Sequence, residues 1–411
     1  MNRKIAWYAT LLLFFGCAKV ADESAIDEPS SEIIPVEEAL SHLRDFLDLV
    51  SPNVKSSALQ VSDVVAFGGC NVKSKAIDGF DIPDTLMYIC RVEDGYAVLP
   101  ANRCQTANVY AYAANATVSE SDFANAYEHI IFSPAEEDSG DCEDFVDMGE
   151  EFVHWLVLSD VLLDYYQVKG SECEGIDSST KSMSTVYGPY VKTKWGQEKP
   201  LNNICNPNGP VGCAATACGQ IVVANKKSNS MIFNGKLCDW NSLESIYHYS
   251  NIGYDGGNEA CSQGANFMKI IGDHDHCRID YGTESSSGNA EGVQRAFQAL
   301  GYKDVDKHVG FGSKNQGIAK RVIKNGKPIY LRGQGGGEGH GWVLDGYAVD
   351  SSGKDYYHVN WGWRGSSDGY FRCGAFDSSK VFEKDSTIDA NCSGIGSGNY
   401  VRYYRMVTYS L

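Results

Sequence analysis

The chain has 411 residues, 43% hydrophobic and 21% charged, which is material for roughly two domains and the wrong balance for disorder, collagen or a coiled coil. Its net charge of −18 argues against a nucleic-acid partner, because neutralising phosphates takes a basic face. Past the start of the chain no apolar run is long enough to span a bilayer, which excludes a multi-pass membrane protein.

Arg3 and Lys4 lead an apolar segment, Ile5 to Phe15, and then Gly16-Cys17. A basic start, a short apolar core and a small residue before the break predict a signal peptide over 1–16. The cysteine directly after the glycine resembles a bacterial lipobox, in which Cys17 becomes a lipidated first residue and attaches the chain to a membrane. An ordinary signal peptide cut near Ala18 or Ala21 is the alternative. Residues 17–34 are acidic, Ser-rich and weakly apolar, and are expected to be a flexible tether. From Pro35 to Val50 the spacing of Val36, Leu40, Leu43, Phe46, Leu47 and Val50 predicts an amphipathic helix. Short β-rich runs separated by turns fill 61–116 and read as an antiparallel meander. Helix returns over 121–167, with the acidic cluster Glu136 to Asp147 between two helical stretches. GSECEGIDSSTK, ending at Lys181, is polar and free of proline: an exposed linker, where proteolytic nicking concentrates.

After the linker the texture changes to a glycine-rich chain with helices at 213–227 and 290–300. Strands follow at 328–332, 341–349, 355–361 and 399–410, an α+β order. Charge divides at the same point. Residues 18–181 hold 32 Asp and Glu against 9 Lys and Arg, a net of −23, while 182–411 carry +3. The expected domains are therefore 35–181 and 182–411, and the acidic one is expected to cover the other electrostatically, a hold that salt or acid would weaken. Fourteen cysteines in an exported chain predict disulfides. Setting Cys17 and Cys213 aside leaves odd numbers in both halves, five and seven, so pairing within each half is incomplete.

Three segments carry chemistry. In Gly209-Pro210-Val211-Gly212-Cys213-Ala214-Ala215, helix formers begin at the cysteine itself. A thiol there faces unpaired N–H groups and the positive end of the helix dipole, which favour thiolate. In Gly333-Gln334-Gly335-Gly336-Gly337-Glu338-Gly339-His340, a histidine is expected at the mouth of a strand, accessible and after a glycine-rich loop, as a general base needs. In Tyr357-His358-Val359-Asn360-Trp361, period-2 alternation puts His358 and Asn360 on one face. Asn360 is expected to accept the second imidazole N–H of His340, with Trp361 shielding that bond, and His358 is read as structural. Asn360 lies 147 residues after Cys213, within the ~130–150 that separate the nucleophile from its partners in papain-like enzymes. Gln197, upstream of the cysteine, is the expected oxyanion donor beside the Cys213 N–H. Asp273-His274-Asp275-His276-Cys277 holds metal-type residues at a spacing that rarely closes a tetrahedral shell, so no metal or other cofactor is expected. Cys218 points to the core.

VYGPYVKTKWGQEKPLN, GPVGCAATACGQIV, GHGWVLDGY and YYHVNWGWRGSSDGYF together resemble the streptopain family of bacterial cysteine peptidases, and MYICRVEDGYAVLPANRCQTANVYAYAANATV resembles that family's prodomain. The resemblance covers roughly 35–410. It implies a papain-like peptidase domain of α+β class preceded by an α+β prodomain, a zymogen cut near Lys181 and an intramolecular inhibitor. It further implies protein or peptide substrates, with Cys213 as nucleophile and His340 as base and acid. Gln197 would sit in the oxyanion hole, Asn360 and Trp361 would support the histidine, and Gly339 and Ser287 would line the substrate cleft. Export as a surface or outer-membrane lipoprotein, or secretion after processing, completes the expectation. Two rivals remain: a transglutaminase-like acyl transferase using the same Cys and His, and a non-catalytic surface-binding lipoprotein on a papain-like scaffold.

Overall fold

Apolar residues spaced for one helix face open the ordered chain: α1 spans Val36–Val50 and buries Ala39, Leu40, Leu43, Phe46 and Leu47. The computed structural model describes residues 32–51, 61–73, 76–77, 80–132, 149–169, 184–227, 232–233, 236–250, 259–335, 338–377 and 402–411. The signal segment with Cys17, most of the tether, the acidic cluster and the linker to Lys181 lie outside the described residues.

The meander follows as β1 (Val61–Phe67), β2 (Met87–Val92), β3 (Gly95–Pro100) and β4 (Ala111–Ala114), then α2 (Glu120–Phe132) and α3 (Glu151–Lys169). A helix that is apolar on every side belongs inside a protein. Every residue of α3 from Phe152 to Tyr165 is buried. Next come β5 (Thr185–Tyr187), α4 (Cys213–Asn225), α5 (Trp240–Ser250), α6 (Glu259–Gly272) and α7 (Ala290–Ala299). The chain ends with β6 (Lys303–Val309), α8 (Ser313–Lys324), β7 (Ile329–Gly335), β8 (Glu338–Val349), β9 (Asp355–Asn360), β10 (Gly369–Arg372) and β11 (Arg402–Ser410). The class is α+β.

One 11-stranded sheet joins both halves in the order β1-β2-β3-β4-β10-β9-β8-β7-β11-β6, with β5 paired to β8. Its seam is antiparallel, Phe371 opposite Ala111, Tyr370 opposite Tyr112 and Gly369 opposite Ala113. A Cβ on Gly369 would stand 1.9 Å from the Tyr112 carbonyl oxygen, so only glycine admits this approach. Across the seam one hydrophobic core holds Phe152 and Trp155 of α3 with Trp342, Trp361 and Phe371.

That continuity corrects the expectation of an electrostatic cover. The N-terminal region is held by strand pairing, by buried aromatic surface and by an ion cluster that water does not reach. Arg372 on β10 bonds both oxygens of Asp160 at 2.7 Å and reaches Asp164 at 3.1 Å, all three side chains being at most 8% exposed. Burial alone pushes the Asp164 carboxyl up, but Arg372 with bonds from Thr106 and Tyr110 outweighs it and holds the group below its usual value. Residues 32–34 are also not a free tether, for Ile33 bridges to Asn102 and the Ile34 N–H bonds the Ala101 carbonyl at 2.9 Å.

The expected disulfides are absent at several of the described cysteines: Cys70, Cys90, Cys205, Cys213, Cys218, Cys238, Cys277 and Cys373 are thiols, most of them packed as small apolar side chains. Burial drives the Cys90 thiol up to about 12 and puts Cys218 and Cys373 well above the ordinary range. Helices α5, α6 and α8 add to the elements expected from the sequence, and glycines interrupt the apolar pattern of α6 and α8. A Cβ on Gly264 would come within 2.5 Å of the Ile246 Cδ1 on α5, so a larger residue there would displace that side chain. No described helix is long and apolar enough to cross a membrane.

Candidate active site

The site is built where α4 begins. Gly212, with φ of 89°, turns the chain in the left-handed region, and Cys213 is the first helical residue, half-buried, with no acidic side chain in the first turn. Nothing on the helix itself therefore opposes the positive end of its dipole at the sulfur. Cys218, five residues on, is fully buried and bonds the Cys277 thiol, and so takes no part in the site.

Two neighbouring segments frame the cysteine. The Val211 N–H donates to the Gln197 carbonyl at 2.8 Å, which lays the Trp195–Gln197 stretch against the helix entry and leaves Gln197 buried. On another side the Ser286 hydroxyl donates to the Pro210 carbonyl at 2.7 Å, and a Cβ on Gly212 would stand 3.0 Å from the Ser286 carbonyl oxygen. Half-buried Ser287 follows directly, so the structure brings Gln197, Ser287 and Cys213 into one neighbourhood.

His340 belongs to β8, which packs against α4, and pairs with Gly333 of β7. Gly339 pairs with Gln334 in the same hairpin. The histidine is thus inside a strand rather than at its mouth, and it is 1% exposed rather than accessible. The cause is aromatic. Its ring stacks on Trp363 at 4.6 Å and on Trp342 at 6.1 Å, with Trp361 at 6.3 Å and Phe152 of α3 at 6.4 Å. A side chain from the N-terminal region therefore closes the histidine's surroundings. The Tyr330 hydroxyl of β7 lies against Gly341, next to His340. Burial, moderated by Arg332, raises that phenol and keeps it neutral.

Asn360 is the main correction. It does not accept from His340. Its Oδ1 accepts the Gly362 N–H at 3.1 Å and the Gln220 Nε2–H at 2.8 Å, and its Nδ2 donates to the Thr193 carbonyl at 2.9 Å. The alternation that placed Asn360 on a face of β9 aims it at α4, away from the hairpin. His340 Nε2 lies 2.8 Å from the carbonyl oxygen of Trp361 instead. A carbonyl only accepts, so Nε2 carries the proton and Nδ1 is the nitrogen with a lone pair for proton transfer. Trp361 itself is fixed twice, its N–H on Asp368 Oδ1 at 2.9 Å and its indole N–H on the Ser367 carbonyl at 3.0 Å. Burial lifts the Asp368 carboxyl above its usual value despite Lys194 at 2.7 Å.

His358 pairs with buried Asp345 at 2.6 Å and packs edge-on to Tyr370. Asp273 spends its carboxylate on its own turn, accepting the N–H groups of Asp275 and His276 and contacting His276 Nδ1 at 2.7 Å. Sequence reasoning missed Gln220, Thr193, Trp363, Asp368 and Phe152. Gln220 alone had a signal, as an amide in the middle of an apolar helix, two turns after Cys213 and so on its face.

Residues 195–371 match the model of the Peptidase C10 family. Streptopain of Streptococcus pyogenes serotype M1 is 30% identical over 240 residues, covering 51% of this chain and 56% of streptopain. The thiol protease/hemagglutinin PrtT of Porphyromonas gingivalis is 26% identical over 202 residues, covering 43% of this chain and 22% of that protein. Among solved structures, a prointerpain A fragment of Prevotella intermedia has a TM-score of 0.47 at 16% identity, over 78% of this chain and 94% of the fragment. The chain spans about half the length of the streptopains it matches. The segment that contains Gln197, Cys213, His340 and Asn360 is the one that matches the Peptidase C10 family and is similar to streptopain.

Proposed function

We propose that this chain is an exported cysteine endopeptidase made as a zymogen, cutting proteins or peptides with Cys213 and His340. The observation that supports the reading is a half-buried cysteine at a helix start beside β8, the strand packed on that helix, which carries a histidine whose Nε2–H is tied to the Trp361 carbonyl. In the reaction the Cys213 thiol gives its proton to His340, and the sulfur attacks the scissile carbonyl. The Cys213 amide and Gln197 stabilise the oxyanion, while Trp361 keeps the imidazole turned. His340 then protonates the leaving amine as the C–N bond breaks, and water, deprotonated by His340, cleaves the thioester and regenerates the thiol. Gly339 and Ser287 line the cleft. No cofactor takes part.

Residues 35–181 are the inhibitory prodomain in this reading, and Phe152 against His340 supports a latent precursor. Cleavage near Lys181 activates the chain, and the basic-apolar start with Gly16-Cys17 supports export and lipid attachment at Cys17. The test is Cys213→Ala. The variant is expected to stay unprocessed and to leave casein uncut; self-processing by this variant overturns the assignment. Amine incorporation in place of hydrolysis by the wild-type chain overturns the peptidase reaction.

A further inference from the structure

We propose that Gln220 is a positioning residue for His340, acting through Asn360 and the peptide group that joins Trp361 to Gly362; this rests on the peptidase reading above. The link is a continuous chain of hydrogen bonds. Gln220 Nε2 donates to Asn360 Oδ1 at 2.8 Å, the same oxygen accepts the Gly362 N–H at 3.1 Å, and the Trp361 carbonyl accepts from His340 Nε2 at 2.8 Å. The Gly362 N–H and the Trp361 C=O are two ends of one planar group, so turning one turns the other. Asn360 thereby holds the histidine without touching it.

Gln220 is itself fixed at its other end. Its Oε1 accepts the Thr193 hydroxyl at 3.0 Å and the Trp195 N–H at 3.3 Å, and Asn360 Nδ2 closes the ring on the Thr193 carbonyl. All three side chains are at most 1% exposed, where each bond polarises the next and a missing partner is costly. The 361–362 peptide needs such an anchor, because Gly362 sits at φ of 79° with Thr216 of α4 in contact range of any Cβ. One amide on the cysteine's own helix therefore sets three things together: the stretch that carries Gln197, the end of β9, and the carbonyl on which His340 leans.

Two measurements test this. In the full-length chain carrying Cys213→Ala and 15N-labelled histidine, the His340 Nε2–H proton, assigned by its loss in His340→Phe, should resonate far downfield. Gln220→Met should move it upfield and speed its exchange with solvent. Thr193→Val, which removes only the hydroxyl that fixes Gln220, should move it the same way by less and serves if Gln220→Met does not fold. An unmoved resonance in a folded variant overturns the proposal. In processed enzyme cutting the Cys213→Ala precursor, Gln220→Met should lower kcat about five- to tenfold with KM unchanged, the worth of one net hydrogen bond. Added to Asn360→Ala, it should cost nothing more, because both act through one path. Fully additive losses would mean a merely structural residue and overturn the proposal. The resonance needs no catalysis, so a chain whose resonance shifts as stated but cuts nothing supports the hydrogen-bond path while defeating the peptidase reading.

Discussion

A histidine does acid–base work when one ring nitrogen is anchored and the other is aimed, and His340 has its anchor in the Trp361 carbonyl. Its surroundings, Trp342, Trp361, Trp363 and Phe152, exclude water, and of these only Phe152 comes from the N-terminal region. Phe152→Ala removes a fully buried ring at a cost of about 3–5 kcal/mol and opens the box from the side that processing would vacate. The variant precursor is expected to process itself faster than wild type, followed by gel densitometry; processing at the wild-type rate would show that Phe152 does not restrain the site. Cys213 and His340 were legible because each stands in a local pattern, a helix start and a strand flanked by glycines. The wiring around Asn360 was not. Its partners Gln220 and Thr193 lie 140 and 167 residues away, and period 2 gives a face but not which neighbour that face meets.

Among the elements, α3 bears most on latency. The sequence shows it as helix, yet its burial comes in part from packing against the other half of the chain, which no local pattern reveals. Two of its carboxylates, Asp160 and Asp164, converge on Arg372 of β10. Arg372→Met strands both acids in the core and should destabilise the precursor by about 3–5 kcal/mol, read as a lower midpoint in urea. A midpoint unchanged from wild type would show that the ion cluster contributes nothing net. The meander and α1 were legible from alternation and helical spacing. Helix α6 was not, because its Gly264 serves packing against Ile246, which lies elsewhere in the sequence.

At the scale of the molecule, a net of −23 beside +3 invited an account by long-range attraction, and the continuous sheet replaces it with contact. After a cut in the linker, the N-terminal region should stay bound from about 0.1 M to about 1 M salt, because buried pairs and apolar surface are little screened; co-elution lost at high salt would restore the electrostatic account. Asp164 gives the pH sign. Its carboxyl lies below 3.8 when bound and returns toward it on release, so its contribution is whole above that pH and fades only as pH falls through the bound value. Mild acid should therefore leave the region in place. The central claim, Cys213 working as nucleophile with His340, is tested most directly by intact-mass spectrometry of the incubated precursor with and without an epoxide thiol inhibitor. The account predicts a new N-terminus near residue 181 without inhibitor and, with it, one adduct on Cys213 and no further processing. A chain that stays whole and unlabelled, or that is labelled elsewhere while still processing, would contradict it.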